Sequence, residues 1–308
     1  MPGATSVLRA VATGCWWHEP WPGMMTTNRT MTKIIQELPV VFTCFAYRPE
    51  YVAELDGMLP TIRKHHPDWP IVAGRGPIDG YELPTLEVES PAGKLHWSLP
   101  VPLNLDGSVD DFRKISRMKA WWIGETWHKF AGLAGPWKRV LWIDADARLL
   151  GPLDVELEPE AEVIAGCYVD PDDDEGIDED MIESGFLLFQ GAKGGRVEGI
   201  IDEWSRLCVS QIENLPPSNP HWPDCDQEML KRVLRGYTDT EGYTLLKLEK
   251  SKYNAMVDED GTPVPGALVD QWMLGYSKMM FPEDYDKQWP PPEEARRPAP
   301  AAAASESE

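Results

Sequence analysis

The chain is short of positive charge. It carries 29 Lys and Arg against 51 Asp and Glu, a formal net charge of -22. Such a field repels nucleic acid phosphates and anionic membrane surfaces, so bulk charge disfavours both as partners, DNA included. Cysteine is also sparse. Cys15, Cys44, Cys167, Cys208 and Cys225 are odd in number and none stands in a CxxC pair. That excludes a zinc ribbon and a disulfide framework, and it predicts free thiols in a reducing, cytoplasmic setting. No apolar run approaches the length of a membrane span. The opening "MPGATSVLRAVATGCWWHEPW" has a short apolar stretch broken by Arg9, which makes a poor signal peptide. There is no internal repeat.

The rest has the composition of an ordinary globular protein, 42% hydrophobic and 26% charged over 308 residues. Residues 1–35 lack sustained periodicity, and Met24, Met25 and Met31 each offer an alternative start; they read as a flexible leader. Residues 289–308, rich in Pro and Ala and acidic, read as a disordered tail. Residues 36–288 alternate between two periods and read as a single domain. "LPVVFTCFAY", "WPIVAG", "RVLWID", "AEVIAGCYV" and "SGFLLFQG" are apolar, β-branched strand runs. Between them "PEYVAELDGMLPTIRKHH" has helical spacing, with Pro60 expected to break or kink it. "DDFRKISRMKAWWIGETWHKFAGLAG" is a long amphipathic helix expected to be capped by Asp110 or Asp111. Two more helices are expected near 196–213 and 226–235, the latter opened by Asp224 or Asp226. Strands alternating with helices imply an α/β layered domain whose mixed, mostly parallel sheet is flanked by helices. Ligands of such sheets gather at the carboxyl ends of the strands.

One strand ends in an unusual way. "RVLWIDADARLLGPLD" runs an apolar strand directly into Asp144-Ala145-Asp146. Side chains at i and i+2 share a face, so the two carboxylates converge as the strand ends. Two carboxylates that close repel each other. A hard divalent cation relieves the repulsion, and oxygen ligands suit Mg²⁺ or Mn²⁺ with a substrate diphosphate completing the shell. The plain alternative is a turn or helix-capping Asp pair.

The segment "VLWIDADARLLGPLDVEL" resembles the metal-binding segment of GT-A-fold (Rossmann-like) glycosyltransferases, especially family 8, the glycogenin and lipopolysaccharide galactosyltransferase type. Three further pieces follow that family's order: the first strand, helix and second strand from "VVFTCFAYRPEY" to "PIVA", then "ESGFLLFQG", then "DCDQEML". Together they span about residues 38 to 235. The resemblance implies a metal-dependent transfer of a sugar from a nucleotide-diphosphate sugar, a UDP-sugar, to an acceptor hydroxyl, with retention of configuration. It makes Asp146 the main metal ligand and places Asp144 on the metal, the ribose or the donor sugar. Thr43 and Tyr47 would lie near the nucleotide, Ser184 and Gly185 beside the donor sugar, and Asp226 and Gln227 by the anomeric carbon. Glu183 stands where the family has Asn. The family's late His-x-x-Gly-x-x-Lys-Pro-Trp segment is absent, and "GALVDQWMLGY" offers Asp270 as a third ligand by position. An inverting enzyme would use a carboxylate base at the acceptor, for which Asp226, Glu228 and Glu183 are the candidates.

Other readings are weaker. Sugar-1-phosphate nucleotidylyltransferases carry a Gly-rich phosphate loop after the first strand, and "FTCFAYRPEY" has no glycine. Asp-nucleophile phosphatases follow their DxD with Thr or Val, where this chain has Ala147-Arg148. A non-catalytic nucleotide-sugar or metal-binding module is the non-enzyme alternative. The acceptor, whether saccharide, protein, metabolite or modified nucleobase, leaves no mark in the sequence. Lys119, near the apolar seam of the long helix, either snorkels outward or reaches a phosphate; Arg117 and Arg75 are lesser candidates. A basic groove of Arg113, Lys114, Arg117 and Lys119 is the one feature that would favour DNA. The acidic run Asp170 to Asp180 lacks EF-hand spacing and reads as a solvated loop. Trp97, Trp222 and Trp272 fall in expected loops and are candidate acceptor platforms. His65 and His66 read as a surface helix end, and His221 as a surface loop.

Overall fold

A computed structural model describes residues 32–33, 38–105, 109–168, 182–215, 225–237, 242–257 and 263–271. The chain divides into Met1–Met31 and Thr32–Glu308, and all described residues lie in the second part. The acidic run 170–180, His221, Trp222, Asp224, Trp272 and the tail expected at 289–308 lie outside the described residues.

In chain order the strands are β1 (Thr32–Lys33), β2 (Val41–Tyr47), β3 (Ile71–Ile78), β4 (Thr85–Ser90), β5 (Gly93–Ser98), β6 (Lys138–Ile143) and β7 (Ala147–Leu149). They continue as β8 (Glu156–Leu157), β9 (Val163–Tyr168), β10 (Ile182–Gly191), β11 (Thr244–Leu248), β12 (Ala255–Met256) and β13 (Val269–Gln271). The helices are α1 (Pro49–His65), α2 (Val109–Phe130), α3 (Arg196–Ser210), α4 (Asp226–Gly236) and α5 (Lys250–Tyr253). The main sheet has eight strands in the order β11-β9-β10-β6-β2-β3-β4-β5. β2 runs parallel to β3 and β6, and β9 parallel to β11. β10 runs against β6 and β9, and β4 against β3 and β5. The sheet is therefore mixed, with most strands sharing one direction.

Every residue of β2 and β6 is buried. Unbroken apolar runs of this kind belong to strands covered on both faces, and α1 and α2 both pack on β2. Gly74 in β3 shows how close the layers come. A Cβ there would stand 2.5 Å from the ring of Trp122, so a bare backbone lets that α2 indole reach the sheet. Trp122 then packs against Phe45 and Trp97.

Several local expectations change. Pro60 lies inside α1 without ending it. Both Pro60 and Asp56, the residue whose carbonyl loses its partner, are exposed, so the missing helix bond lies on the solvent side and not in the core. Asp110 and Asp111 lie within the first turn of α2 and do not precede it. α4 starts at Asp226, after Cys225, with no side-chain cap. Trp97 is no loop residue. It lies in β5, 8% exposed, inside an aromatic cluster with Trp121, Trp122 and Phe130, so it belongs to the core. His66 is buried too, stacked on Trp69 at 3.6 Å and accepting the Leu153 N–H at Nε2.

Two features of the topology place the site. β2 and β6 are parallel, so their carboxyl ends lie at the same sheet edge. β10 is antiparallel, so its amino-terminal residues come to that edge, with Phe186 opposite Ile143. A small sheet, β12-β13-β7, then folds the late segment back beside the residues that follow Asp146. Among the described residues no helix is long and apolar enough to cross a membrane.

Candidate active site

β6 ends at Ile143 and Asp144 is the next residue. The Asp144 N–H donates to the Gly185 carbonyl at 3.0 Å, which ties the strand end to β10. That is possible because β10 is bulged. Glu183 pairs with Cys167 and Leu187 with Gly166, so the residues between them are extra on one side. The bulge turns Ser184 and Gly185 toward Asp144.

The carboxylates of Asp144 and Asp146 meet at one amide. Gln271 Nε2 lies 3.1 Å from Asp144 Oδ2 and 3.5 Å from Asp146 Oδ1. The other oxygen of Asp144 accepts from Trp142 Nε1 at 2.7 Å and faces Lys119 Nζ at 2.9 Å. Asp146 is pushed up to about 7, by burial first and the neighbouring Asp144 carboxylate second. Burying the carboxyl is the larger part of that shift and its nearness to Asp144 the smaller, opposed in part by the Gln271 amide.

Below the pair lies a buried ammonium. Lys119 is 7% exposed. Its Nζ is 3.1 Å from both the Ser184 carbonyl and the Ser184 hydroxyl, and 3.3 Å from Asp226 Oδ2. Burial works against its charge, yet Asp144 and Asp226 outweigh burial and raise its pKa. Asp226, also buried, is raised by desolvation and held down by Lys119. Gln227 Oε1 accepts the Ser184 N–H at 3.0 Å. Lys119, Asp144, Ser184, Gly185, Asp226 and Gln227 are thus brought together in one cluster. Lys119, however, neither snorkels nor extends a free ammonium; its protons are shared among acceptors of the protein itself.

Other expected residues are elsewhere. Thr43 is wholly buried in β2, where its hydroxyl donates to the Val72 carbonyl at 3.2 Å and accepts from Trp122 Nε1 at 2.7 Å. Tyr47, at the end of β2, is buried, and desolvation raises its phenol pKa. Asp270 is held by a two-pronged contact from Arg148, at 3.2 and 2.7 Å. Successive strand residues face opposite ways, so it is Gln271 that reaches the Asp pair. Glu183 is also engaged, with Lys250 Nζ 2.9 Å from one oxygen and Asn254 Nδ2 2.9 Å from the other. Arg75 pairs with Asp56 and Glu89. Arg113 and Arg117 are buried like Lys119, so of the four basic residues that could have formed a groove only Lys114 is partly exposed. Among the described residues, no group of three or more His, Cys, Asp or Glu side chains is arranged to hold a metal ion.

Gln271, Asn254 and Trp142 were missed. Strand parity could have found Trp142, two residues before Asp144 on the same face. Gln271 sat one place from the residue chosen. Asn254 carries no sequence signal, because only the return of the late segment brings it here.

No family model matches the chain, and no curated protein does. Among solved structures the chain is similar to "a glycosyltransferase involved in the glycosylation of the major capsid of PBCV-1". The identity is 13% over 76% of this chain and 93% of that one, with a TM-score of 0.44. Likeness at that level carries no chemistry from one chain to the other.

Proposed function

We propose that this chain is a metal-dependent glycosyltransferase of the GT-A, family 8-like kind, moving a sugar from a UDP-sugar to an acceptor hydroxyl. The observation that carries the reading is the convergence of Asp144 Oδ2 and Asp146 Oδ1 on the Gln271 amide at the carboxyl end of a central strand. Two carboxylates facing one electropositive group suit Mn²⁺ or Mg²⁺. Asp144 and Asp146 would hold the cation; Asp270, occupied by Arg148, would not. When bound, such a cation supplies positive charge to the departing diphosphate.

The protein's own groups prepare that place. Trp142 and Lys119 fix one oxygen of Asp144, which leaves the other directed at the site. Lys119 neutralises the buried Asp144 and Asp226 together, so the floor stays rigid with its charges paired. Gln227 holds the Ser184 backbone, and the missing side chain of Gly185 lets the Asn254 and Gln271 amides pack against it. Retention follows from the family 8 resemblance. Of the three carboxylates that could serve inversion as a base, both oxygens of Glu183 are engaged and Asp226 is paired with Lys119, which leaves Glu228.

Calorimetric titration of UDP with and without Mn²⁺, on wild type and Asp146→Asn, tests the reading. Binding that needs Mn²⁺ and is lost in the variant is expected. Absence of binding to UDP, GDP, dTDP and CDP under every metal condition would reduce the Asp pair to a turn.

A further inference from the structure

Among the described residues, no His, Cys, Asp or Glu joins Asp144 and Asp146 as a third metal ligand. Amide oxygen is also a ligand for hard divalent cations. The group already touching both carboxylates is an amide, that of Gln271. Its Nε2 lies 3.1 Å from Asp144 Oδ2 and 3.5 Å from Asp146 Oδ1. Neighbouring oxygens of an octahedral shell, each about 2.1 Å from the metal, stand about 3.0 Å from one another. The amide atom facing the pair is therefore close to the place of a third ligand, but it is a nitrogen that carries protons. The two ends of a carboxamide have nearly the same shape, and the torsion that exchanges them is soft and two-fold.

The structure also shows what would receive the nitrogen. Gln271 Oε1 is 3.0 Å from the point where a Cβ on Gly185 would stand, and Asn254 Oδ1 is 3.1 Å from the same point. Asn254 is 3% exposed, and its Oδ1 has no hydrogen-bond partner among the described residues. A buried acceptor without a donor is a standing penalty, and its neighbour at Gly185 is a second carbonyl oxygen. Asn254 cannot remove the penalty by turning. Its Nδ2 donates to Glu183 at 2.9 Å, and Lys250 Nζ holds the other oxygen of Glu183 at 2.9 Å. Turning Gln271 does remove it. The exchange brings an N–H beside Asn254 Oδ1 and a carbonyl oxygen before Asp144 and Asp146. It needs no opening above Gly185, because an amino group replaces an oxygen of nearly equal size. Asp144 and Asp146 are themselves partly exposed, so a cation reaches them from solvent and not past the amides.

We propose that Gln271 Oε1 is the third protein ligand of the cation, with Asn254 Oδ1 accepting the Gln271 N–H in that orientation. The carboxylates alone draw the N–H end of the amide; a cation between them draws the oxygen. Asn254 is a positioning residue, aimed in turn by Glu183 and Lys250. The inference rests on the metal reading above and adds one ligand to it.

The test measures Mn²⁺ binding, read from loss of the free-ion EPR signal with and without UDP, in wild type, Gln271→Met and Asn254→Ala. Methionine keeps the bulk of glutamine, and its soft thioether is a poor ligand for this ion. Mn²⁺ affinity should fall at least tenfold in Gln271→Met and about tenfold in Asn254→Ala. An amide that only pinned the carboxylates through its N–H would compete with the cation. Unchanged or tighter binding in Gln271→Met would therefore overturn the ligand and leave the metal reading intact, and unchanged binding in Asn254→Ala would overturn the role of Asn254. A wild-type structure with Mn²⁺ needs no variant, so poor folding of either one leaves the proposal testable. In it Gln271 Oε1 should stand about 2.1 Å from the ion with Nε2 turned to Asn254 Oδ1; water in the place of Oε1 would overturn the proposal. Wild type that binds no Mn²⁺, with or without UDP, would overturn the metal reading itself, and this ligand with it.

Discussion

Lys119 shows how much one residue can be asked to do. From α2 it reaches Asp144 after β6, Ser184 in β10 and Asp226 at the start of α4. Removing its charge would leave two carboxylates unpaired in a buried place. Lys119→Met is therefore expected to destabilise the fold by roughly 3–5 kcal/mol, read as a shift in the urea midpoint. A loss below about 1 kcal/mol, the range of exposed pairs, would show the ammonium to be incidental. Gly74 is a second such point. Gly74→Ala drives a methyl into the Trp122 ring from a strand hydrogen-bonded on both sides, and about 1–3 kcal/mol of destabilisation is expected. Equal stability of this variant and wild type would mean that the indole has room to retreat.

Among the elements, α3 depends on a residue far from it in sequence. Its N-cap position is Gly195, which offers no side-chain oxygen. Glu162, just before β9, takes that role. One oxygen accepts the Ala192 N–H at 2.7 Å and the other the Val197 N–H at 2.7 Å. A carboxylate at a helix N-terminus is favourable through both hydrogen bonding and the helix dipole. Gly191 and Gly195 leave room for it, since a Cβ at either would approach Glu162 within 3 Å. Glu162→Ala should cost about 1–2 kcal/mol. Thermal unfolding would measure that loss. The effect should reach the site, because Trp204 of α3 donates to the Asp226 carbonyl at 2.9 Å. Nucleotide binding in this variant should therefore weaken along with stability.

Over the whole molecule, pH acts through a buried histidine. Burial first, and the adjacent His65 second, lower His66 to about 4 from an ordinary value of 6.5. The native state thus keeps the ring neutral where the unfolded chain protonates it. Stability is complete above about pH 6.5 and falls as pH drops toward 4, by up to about 3 kcal/mol, since the unfolded state binds the extra proton there. His66→Gln keeps an acceptor for the Leu153 N–H and has nothing to titrate. Its urea midpoint should be flatter than that of wild type between pH 6.5 and 4; parallel curves would remove His66 from the account. The net charge of -22 acts on the same scale. Self-repulsion of so many carboxylates opposes compactness, so moderate KCl should raise the melting temperature. A melting temperature that drops with salt would mean that local ion pairs outweigh the net field.

The residues that the chain alone marks out are those whose information is local. Period and composition identify the apolar strands around β2, β6, β9 and β10 and the helices α1 to α4, because each depends on neighbours one to four places away. The convergence of Asp144 and Asp146 is local in the same sense, although its cause is a tight turn after β6, closed by the Ala147 N–H on the Asp144 carbonyl, and not strand parity. Other features depended on which segments return to which edge. Antiparallel β10 brings Ser184 and Gly185 to Asp144, and the small sheet selects Gln271 over Asp270 by the parity of β13. Burial turned His66 and Trp97 from surface residues into core, and turned Lys119 from a free hand into the floor of the site. Those outcomes are matters of packing between residues tens of positions apart, where solvent is excluded and every buried polar atom must find a partner. The sequence records which groups are present; only the tertiary structure decides which of them, like Lys119 and Asp270, are already satisfied by partners of the protein itself.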